Sequence, residues 1–213
     1  MTGELERRAR LHAALGDTAR LAVVDELATS DRSSSELARL FSLPGNLLAH
    51  HLDVLERAGL VQRFTSAGDR RRRYVRLVRE PLGELGVTVA VPDGLVLFVC
   101  THNAARSQLA AALWKARTGH AATSAGTHPT EVHPEAKAAA GRAGLDLSDA
   151  VSRHVDDVVG AGTVVTVCDR AHEELRPAPQ WWHWSVASPS EIGTAEAFDA
   201  TVDELDTRIR ALL

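Results

Sequence analysis

Cysteine is scarce in this chain of 213 residues: it occurs only as Cys100 and Cys168, and residues 1–99 contain none. Two cysteines cannot form the disulfide framework on which small secreted domains depend. No apolar run reaches the roughly 18 residues that a membrane-spanning helix needs. The charged segment at 1–10 also lacks the apolar core of a signal peptide. We therefore expect a cytoplasmic protein with reactive thiols and no membrane partner.

A short loop joins an apolar run at 95–99 to a helix-like segment at 108–117. Backbone N–H groups of such a loop converge on an oxyanion, and an arginine binds two of its oxygens. The same positive field favours a nucleophilic thiolate. The expected oxyanion-binding residues are Thr101, His102, Asn103, Ala104, Ala105 and Arg106.

Three residues of this region are predicted to be catalytic: Cys100 as nucleophile, Arg106 as oxyanion ligand and Ser107 as hydrogen-bond donor to the thiolate. The alternative is a buried cysteine with an unrelated arginine nearby, because Cys-x5-Arg is common by chance. Asn103 can hold the loop in shape, and together with Ser107 it favours the catalytic interpretation.

The region 1–80 has the pattern of a winged helix-turn-helix, mainly helical with a β-hairpin wing. Asp17 can cap a helix that runs to Ala28 and has on its buried side Leu21, Val24 and Leu27. Ser33 and Glu36 form a capping box before the next helix. These signals predict the helices that precede the turn.

The helix after the turn is the one expected to enter the major groove of DNA. Pro44 lies in its predicted first turn and Gly59 ends it. Its buried stripe contains Leu48, Leu52 and Leu55, and its other face presents Asn46, Ala49, His50 and Asp53. We expect Asn46, Ala49 and His50 to contact DNA. A metal could be bound by His12, His50 and His51. A packed or DNA-facing histidine is more common, so no metal site is expected.

The strand-like runs at 60–64 and 74–78 enclose the predicted wing. Its arginines are concentrated: Arg63, Arg70, Arg71, Arg72, Arg73, Arg76 and Arg79 fall within 17 residues. A charge run is often only a solvated surface, but a wing is positioned to follow the phosphate backbone. We expect Arg70, Arg71, Arg72 and Arg73 to contact DNA. The alternative is an interaction module that no longer binds DNA.

Residues 10–78 resemble the ArsR type of bacterial regulator. The resemblance rests on Leu15-Gly16-Asp17-Thr18-Ala19-Arg20-Leu21, Ser35-Glu36-Leu37-Ala38, His50-His51-Leu52 and Tyr74-Val75-Arg76-Leu77. It implies operator DNA as a partner and a homodimer formed through the N-terminal domain. Metalloid sensors of this type commonly use cysteines that this half lacks, so soft-metal sensing is not expected here.

Residues 95–213 resemble the low-molecular-weight tyrosine phosphatase fold and, within it, the thiol-dependent arsenate reductases. The resemblance rests on the Cys100 loop, Ser124-Ala125-Gly126-Thr127, Val132-His133-Pro134, Ala143-Gly144-Leu145-Asp146-Leu147-Ser148 and Val164-Val165-Thr166-Val167-Cys168. Phosphatases of this fold usually have proline where Gln108 stands. The resemblance implies an α/β domain with a parallel sheet that binds arsenate or a phosphate-like oxyanion.

Two parts of the implied machinery are missing. Cys168 matches the first of two redox cysteines, but the second would fall near Leu175. Either Cys168 forms a direct disulfide with Cys100, or an external thiol such as mycothiol resolves the adduct, with no bound cofactor. An inert buried Cys168 is the alternative. The usual general acid is also absent, because Ser188 occupies its place before Pro189.

The sequence thus predicts a winged helix-turn-helix domain at 1–80, a linker at 81–94 that could include an edge strand, and a reductase-like domain at 95–213. Three functions remain open: a regulator fused to an arsenate reductase, a regulator with a non-catalytic oxyanion or redox sensor, and a tyrosine phosphatase with a DNA-binding half. Gln108 and Ser188 weigh against the phosphatase.

Overall fold

The computed structural model describes residues 3–83 and 91–213. The chain divides into an N-terminal unit, Met1–Ser66 with Arg70–Val89, and a C-terminal unit, Ala90–Leu213 with Ala67–Asp69. The predicted linker at 81–94 begins within a short helix, Glu80–Gly83. The expected edge strand falls largely on residues 87–90, which lie outside the described residues.

The N-terminal unit contains five helices and three strands within its described residues. Its helices are α1 Gly3–Leu15, α2 Thr18–Leu27, α3 Ser34–Leu40, α4 Gly45–Arg57 and α5 Glu80–Gly83. Its strands are β1 Arg32–Ser33, β2 Val61–Thr65 and β3 Arg73–Leu77. They form an antiparallel sheet in the order β1-β3-β2, in which Val61 lies opposite Leu77.

The predicted caps of this unit are confirmed. The Asp17 side chain accepts a hydrogen bond from the Arg20 backbone N–H at 3.0 Å, and Ser33 and Glu36 form the capping box of α3. Each side chain satisfies a backbone N–H that the helix itself leaves unpaired. Pro44 lies one position earlier than predicted, because it is the N-cap of α4 and the helix begins at Gly45.

The predicted burial is right for α4 and partly wrong for α2. Leu48, Leu52 and Leu55 of α4 are buried, as expected from their spacing. Leu21 of α2 is instead 45% exposed. The buried residues of α2 are Val23, Val24 and Leu27. At 100° per residue, the centre of that face lies roughly 110° around the helix from Leu21, which therefore points away from the core.

The C-terminal unit is an α/β domain with a parallel sheet. Its strands are β4 Val96–Cys100, β5 Ala122–Gly126, β6 Thr163–Thr166 and β7 Trp182–His183, in the order β5-β4-β6-β7. Its helices are α6 Arg106–Thr118, α7 Pro134–Arg142, α8 Asp169–Leu175, α9 Pro189–Ile192 and α10 Ala195–Arg210, with a 3-10 turn at Val155–Asp157. The predicted fold class is confirmed for both units.

The inner strand β4 places Cys100 at the carboxyl edge of the sheet. All five of its residues are buried, as is typical of a parallel strand covered on both faces. The Phe98 ring packs against Trp114 and Trp184, each with a centroid distance of 5.7 Å. Beside Cys100, β5 ends at Gly126, where an added Cβ would lie only 2.7 Å from the Thr101 carbonyl oxygen. A side chain at position 126 would therefore push the Cys100 loop out of place.

Candidate active site

The loop from Cys100 to Arg106 is held from outside through its carbonyl oxygens. These accept hydrogen bonds from the backbone of the segment that follows β5. Thr127 donates to Cys100 at 3.3 Å, His128 to Thr101 at 2.8 Å, Thr130 to His102 at 3.0 Å and His133 to Ala104 at 2.8 Å. The loop therefore has its carbonyl groups engaged by protein on one side.

The N–H groups of the same loop are left available. Among the described residues, no protein atom accepts a hydrogen bond from the backbone N–H of residues 102–105. A run of backbone N–H groups without protein acceptors favours the binding of an anion, and the first turn of α6 adds its own unpaired N–H groups. Thr101, Asn103 and Ala105 are buried, Ala104 is half-buried, and His102 is exposed. The geometry thus fits the predicted oxyanion loop.

Cys100, Ser107 and Asn103 form one buried hydrogen-bonded chain. The Asn103 Nδ2 atom lies 2.8 Å from Ser107 Oγ, which lies 3.0 Å from Cys100 Sγ. Because an amide NH2 group can only donate, the Ser107 oxygen accepts there and its own proton is left for the sulfur. Ser107 is therefore oriented as a donor to Cys100, which would stabilise a thiolate more than a thiol.

Asn103 is the conformationally unusual residue of the loop. Its φ of 49° lies in the left-handed region, which non-glycine residues seldom adopt. Its side-chain Oδ1 accepts from the Arg153 backbone N–H at 2.9 Å, and its carbonyl oxygen accepts from Ser152 Oγ at 2.9 Å and from Gln108 Nε2 at 3.1 Å. These partners cannot be recognised from the sequence, in which only the left-handed tendency of asparagine indicates the strained position.

The Arg106 guanidinium is half-buried and directed toward the segment after β7. Its Nη1 atom donates to the Val186 carbonyl oxygen at 2.9 Å. One such bond leaves most of its five N–H protons for another acceptor. A carbonyl acceptor also leaves the positive charge of the guanidinium unneutralised, so that it can still attract an oxyanion.

The second thiol lies next to the loop. Cys168 is 2% exposed, and its Sγ atom lies 3.2 Å from Thr101 Oγ1, on the residue that follows Cys100. The structure therefore brings Cys168 to the same edge of the sheet as Cys100, with both thiols free. This neighbourhood distinguishes Cys168 from a cysteine buried elsewhere in the core.

The expected position of the general acid contains no acidic group. Ser188 is the N-cap of α9, and its hydroxyl forms no capping hydrogen bond. Asp169 and Asp199 are two carboxyl groups of this domain that could replace the missing acid. Asp199 is engaged on the surface by Arg142 at 2.7 Å, and Asp169 lies in a buried network with His183. Asp169 lines the same cavity as Thr101 and Arg106, so its protonation state decides whether it can act as the acid.

The Asp169 carboxylate is held in its charged form. Burial raises the pKa of Asp169, but hydrogen bonds from His183 and Ser185 outweigh burial and lower the pKa to about 2. His183 is fully buried; its Nε2 atom lies 3.2 Å from Asp169 Oδ1, and its Nδ1 atom lies 2.9 Å from Thr166 Oγ1. A carboxyl ionised down to about pH 2 has no proton to give near neutrality, so Asp169 does not replace the missing acid.

The predicted DNA contacts of the N-terminal unit are all exposed. Asn46, Ala49 and His50 lie on the exposed face of α4. Residues 70–72 lie exposed in the segment that leads into β3, and Arg73 is the exposed first residue of that strand. The next histidine, His51, is buried and lies 3.6 Å from Asp17 through its Nδ1 atom. The helix therefore separates a packing face from a face that is open to a partner.

The arginine cluster divides into two groups. Arg63 pairs with Asp53 at 2.7 Å, Arg76 pairs with Asp31 at 3.1 Å, and Arg79 donates to the Ala28 carbonyl. These three stabilise the unit itself. The exposed side chains are those of Arg70, Arg71, Arg72 and Arg73. Only the second group is placed at the surface of the hairpin as DNA contacts require.

Residues 3–83 and 91–213 contain no group of three or more His, Cys, Asp or Glu side chains arranged to hold a metal ion. No helix in that part of the chain is long and apolar enough to cross a membrane.

Comparison with known proteins agrees with the division of the chain into an N-terminal and a C-terminal unit. The profile of the low molecular weight phosphotyrosine protein phosphatase family matches residues 95–213, which is more than half of the chain. The chain belongs to that family. A helix-turn-helix domain profile matches residues 15–63. The protein thus joins a helix-turn-helix domain to a domain of the low-molecular-weight phosphatase fold.

Its curated relatives are named arsenate reductases. The chain is 34% identical over 122 residues to the arsenate reductase of Brevibacillus brevis, covering 54% of this chain and 90% of that protein. It is 33% identical over 128 residues to the arsenate reductase of Shouchella clausii, covering 54% of this chain and 92% of that protein. Among solved structures, the low molecular weight protein tyrosine phosphatase from T. tengcongensis aligns with a TM-score of 0.50 and 26% identity, covering 56% of this chain and 97% of that one.

Proposed function

We propose that the chain is a transcriptional regulator fused to a thiol-dependent arsenate reductase, in which Cys100 attacks arsenate. The observation that carries the proposal is the chain of hydrogen bonds from Asn103 through Ser107 to Cys100, beside a loop whose N–H groups lack protein acceptors. The nucleophile, its hydrogen-bond donor and the anion site therefore occupy one small volume. The similarity to arsenate reductases supports arsenate as the oxyanion.

The first step forms an S–As bond. The Cys100 thiolate attacks arsenic as an As–O bond breaks, and the departing oxygen takes a proton from solvent and leaves as water. The loop N–H groups and Arg106 stabilise the negative charge on the remaining oxygens. Ser107 stabilises the thiolate before attack, because its proton is directed to the sulfur.

The second step reduces arsenic. A second thiolate attacks the Cys100 sulfur, an S–S bond forms, and the S–As bond breaks with its electron pair on arsenic. Arsenic(V) becomes arsenic(III) and leaves as arsenite, while two thiols are oxidised to a disulfide. Cys168 is one candidate for this thiol, supported by its contact with Thr101. A small external thiol such as mycothiol is the other.

Arsenate rather than a phosphate ester is supported by the missing acid. A phosphate ester must expel an alkoxide, which needs a proton donor, and Ser188 cannot supply one near neutral pH. Arsenate oxygens are more labile and are less dependent on that donor. The proposal therefore favours reduction over the phosphatase activity that the name of the family suggests.

In the N-terminal unit, we infer that α4 enters the major groove and that the arginines at 70–73 contact phosphates. The exposed face of α4 with Asn46, Ala49 and His50 supports the first role. The proposal includes a homodimer formed through this domain and an inverted-repeat operator. It also puts the protein in the cytoplasm, where bacterial operators and reducing thiols are found.

The test is arsenite release from arsenate by the purified full chain, with mycothiol, glutathione and thioredoxin systems supplied separately. Wild type should turn over with at least one system, and Cys100→Ser should not. Cys168→Ser separates the two resolving routes, because it abolishes turnover only if Cys168 attacks Cys100. A full chain with reactive Cys100 but no turnover under any system would contradict the reductase.

The non-catalytic sensor is the competing function, and the same protein distinguishes it. A sensor needs DNA affinity that depends on the state of the loop, with a coupling of roughly 1–3 kcal/mol in known allosteric pairs. Operator binding is measured with and without arsenate, in wild type and in Cys100→Ser. Equal affinities in all four conditions, together with turnover, support the fused enzyme.

A further inference from the structure

Gln108 connects the oxyanion loop to a segment that is distant in the sequence. Its side chain lies in the first turn of α6 and is only 5% exposed. The Nε2 atom donates to the Asn103 carbonyl oxygen at 3.1 Å and to the Val151 carbonyl oxygen at 3.2 Å. Since an amide NH2 group has two protons, both are used in these contacts.

Asn103 needs such support because its backbone is left-handed. Its carbonyl oxygen accepts from Gln108 Nε2 and from Ser152 Oγ, and its side chain accepts from the Arg153 backbone N–H. These contacts fix the peptide on the carboxyl side of Asn103 and the amide of its side chain. Without them, a non-glycine residue would favour the right-handed region.

The orientation of Asn103 reaches the nucleophile through one intermediate atom. Asn103 Nδ2 donates to Ser107 Oγ at 2.8 Å, which leaves the Ser107 proton for Cys100 Sγ at 3.0 Å. If Asn103 turns away, the Ser107 hydroxyl is free to rotate and loses its fixed direction. The sulfur then loses a directed donor that stabilises its charged form.

We infer that Gln108 is a positioning residue for the Cys100 thiolate. It acts through Asn103 and Ser107 and not on the sulfur itself. The inference rests on the proposed role of Cys100 as the nucleophile and assigns a purpose to glutamine at this position of the loop. It also predicts that the amide protons of Gln108, and not its bulk, are what the thiolate depends on.

The location of Gln108 makes the substitution practical. Its side chain forms part of the wall of a cavity of about 580 Å³, together with Ser124 and Val151. A change that conserves length is not forced into a fully packed core, so the fold is expected to survive. Gln108→Met keeps the length and removes both protons. Gln108→Glu keeps the shape and turns an acceptor toward two carbonyl oxygens.

The experiment measures alkylation of Cys100 by iodoacetamide between pH 5 and 9, in the full chain with Cys168→Ser so that only one thiol reacts. In Gln108→Met the rise of the rate with pH should move to higher pH. The rate at pH 6 should fall about tenfold for each pH unit of that displacement. The pH profile of the Gln108→Glu protein should be displaced further in the same direction. Gln180 is exposed in the same domain, so Gln180→Met and Gln180→Glu are matched controls that should follow the parent protein.

A second variant decides the matter if the Gln108 proteins fail to fold by circular dichroism. Ser152→Ala removes the other donor to the Asn103 carbonyl, at a half-buried position, and should displace the profile in the same direction. Profiles that superimpose on the parent for every folded variant would overturn the inference. A parent protein whose Cys100 reacts no faster than a free thiol and is not protected by arsenate would contradict the proposed function itself.

Discussion

Ser107→Ala is the substitution that isolates the stabilisation of the Cys100 thiolate. The variant removes one hydroxyl that lies 3.0 Å from the sulfur and is itself fully buried. A hydrogen bond to a charged group typically contributes about 1.5–3 kcal/mol. At about 1.4 kcal/mol for each factor of ten, the thiolate population at a pH where it is the minor form should fall roughly 10- to 100-fold.

The assay is the rate of iodoacetamide alkylation of Cys100 at pH 6 and at pH 9, again with Cys168→Ser. The variant should be slower at pH 6, whereas at pH 9 the difference should shrink because the thiol ionises in both proteins. Ser107→Thr retains a hydroxyl and is the matched control, expected to react more like the parent. Equal rates of Ser107→Ala and parent at pH 6 would refute the donor role of Ser107.

Three other changes test separate parts of the account. Asp169→Asn should lower the free energy of unfolding by about 2 kcal/mol at pH 7, because the pKa of Asp169 is about 2 when folded and about 3.9 when unfolded. This stabilisation should be complete above about pH 4 and vanish as the pH falls through 2, as urea unfolding at several pH values would measure. Changing Arg71, Arg72 and Arg73 to Ala should weaken binding to every DNA sequence. The slope of log K against log salt concentration should become shallower by up to about 0.9 for each phosphate that is no longer neutralised. An unchanged slope, measured by fluorescence anisotropy, would contradict these contacts. Ser188→Asp should raise hydrolysis of phosphotyrosine, whose leaving group is strongly basic, about 10²-fold or more, as phosphate release would measure; an unchanged rate would contradict a missing acid as the limit.

Features with local causes could be predicted from the sequence. The capping box of Ser33 and Glu36 and the buried stripe of α4 depend on partners three or four residues away. The loop from Cys100 to Arg106 is also local, since a strand end, a short turn and a helix start define it. The family resemblance added the parallel sheet, which no periodicity could specify.

Features with distant partners could not be predicted. Asn103 was identified as a residue that holds the loop, but its own partners lie in the segment 151–153. The sequence indicated no partner for Arg76, which pairs with Asp31, a residue that directly precedes β1 and lies 45 positions earlier. Leu21 was expected in the core from its spacing, yet the burial of α2 centres on other residues. In each instance, tertiary packing selects among pairings that the local sequence leaves open.

The proximity of the two thiols belongs to the same category. Cys168 and Thr101 are 67 positions apart, and only the parallel pairing of β4 with β6 brings them within 3.2 Å. The sequence suggested Cys168 as a resolving thiol by resemblance alone. Its location now gives that suggestion a physical basis, which Cys168→Ser tests directly.

The most direct test of the central claim is arsenite production from arsenate by the purified chain, followed with mycothiol, glutathione and thioredoxin systems in separate reactions. Wild type should release arsenite with at least one thiol system, and Cys100→Ser should release none. Arsenite release that Cys100→Ser retains at the wild-type rate, or no release by wild type with any of the three systems, would contradict the central claim.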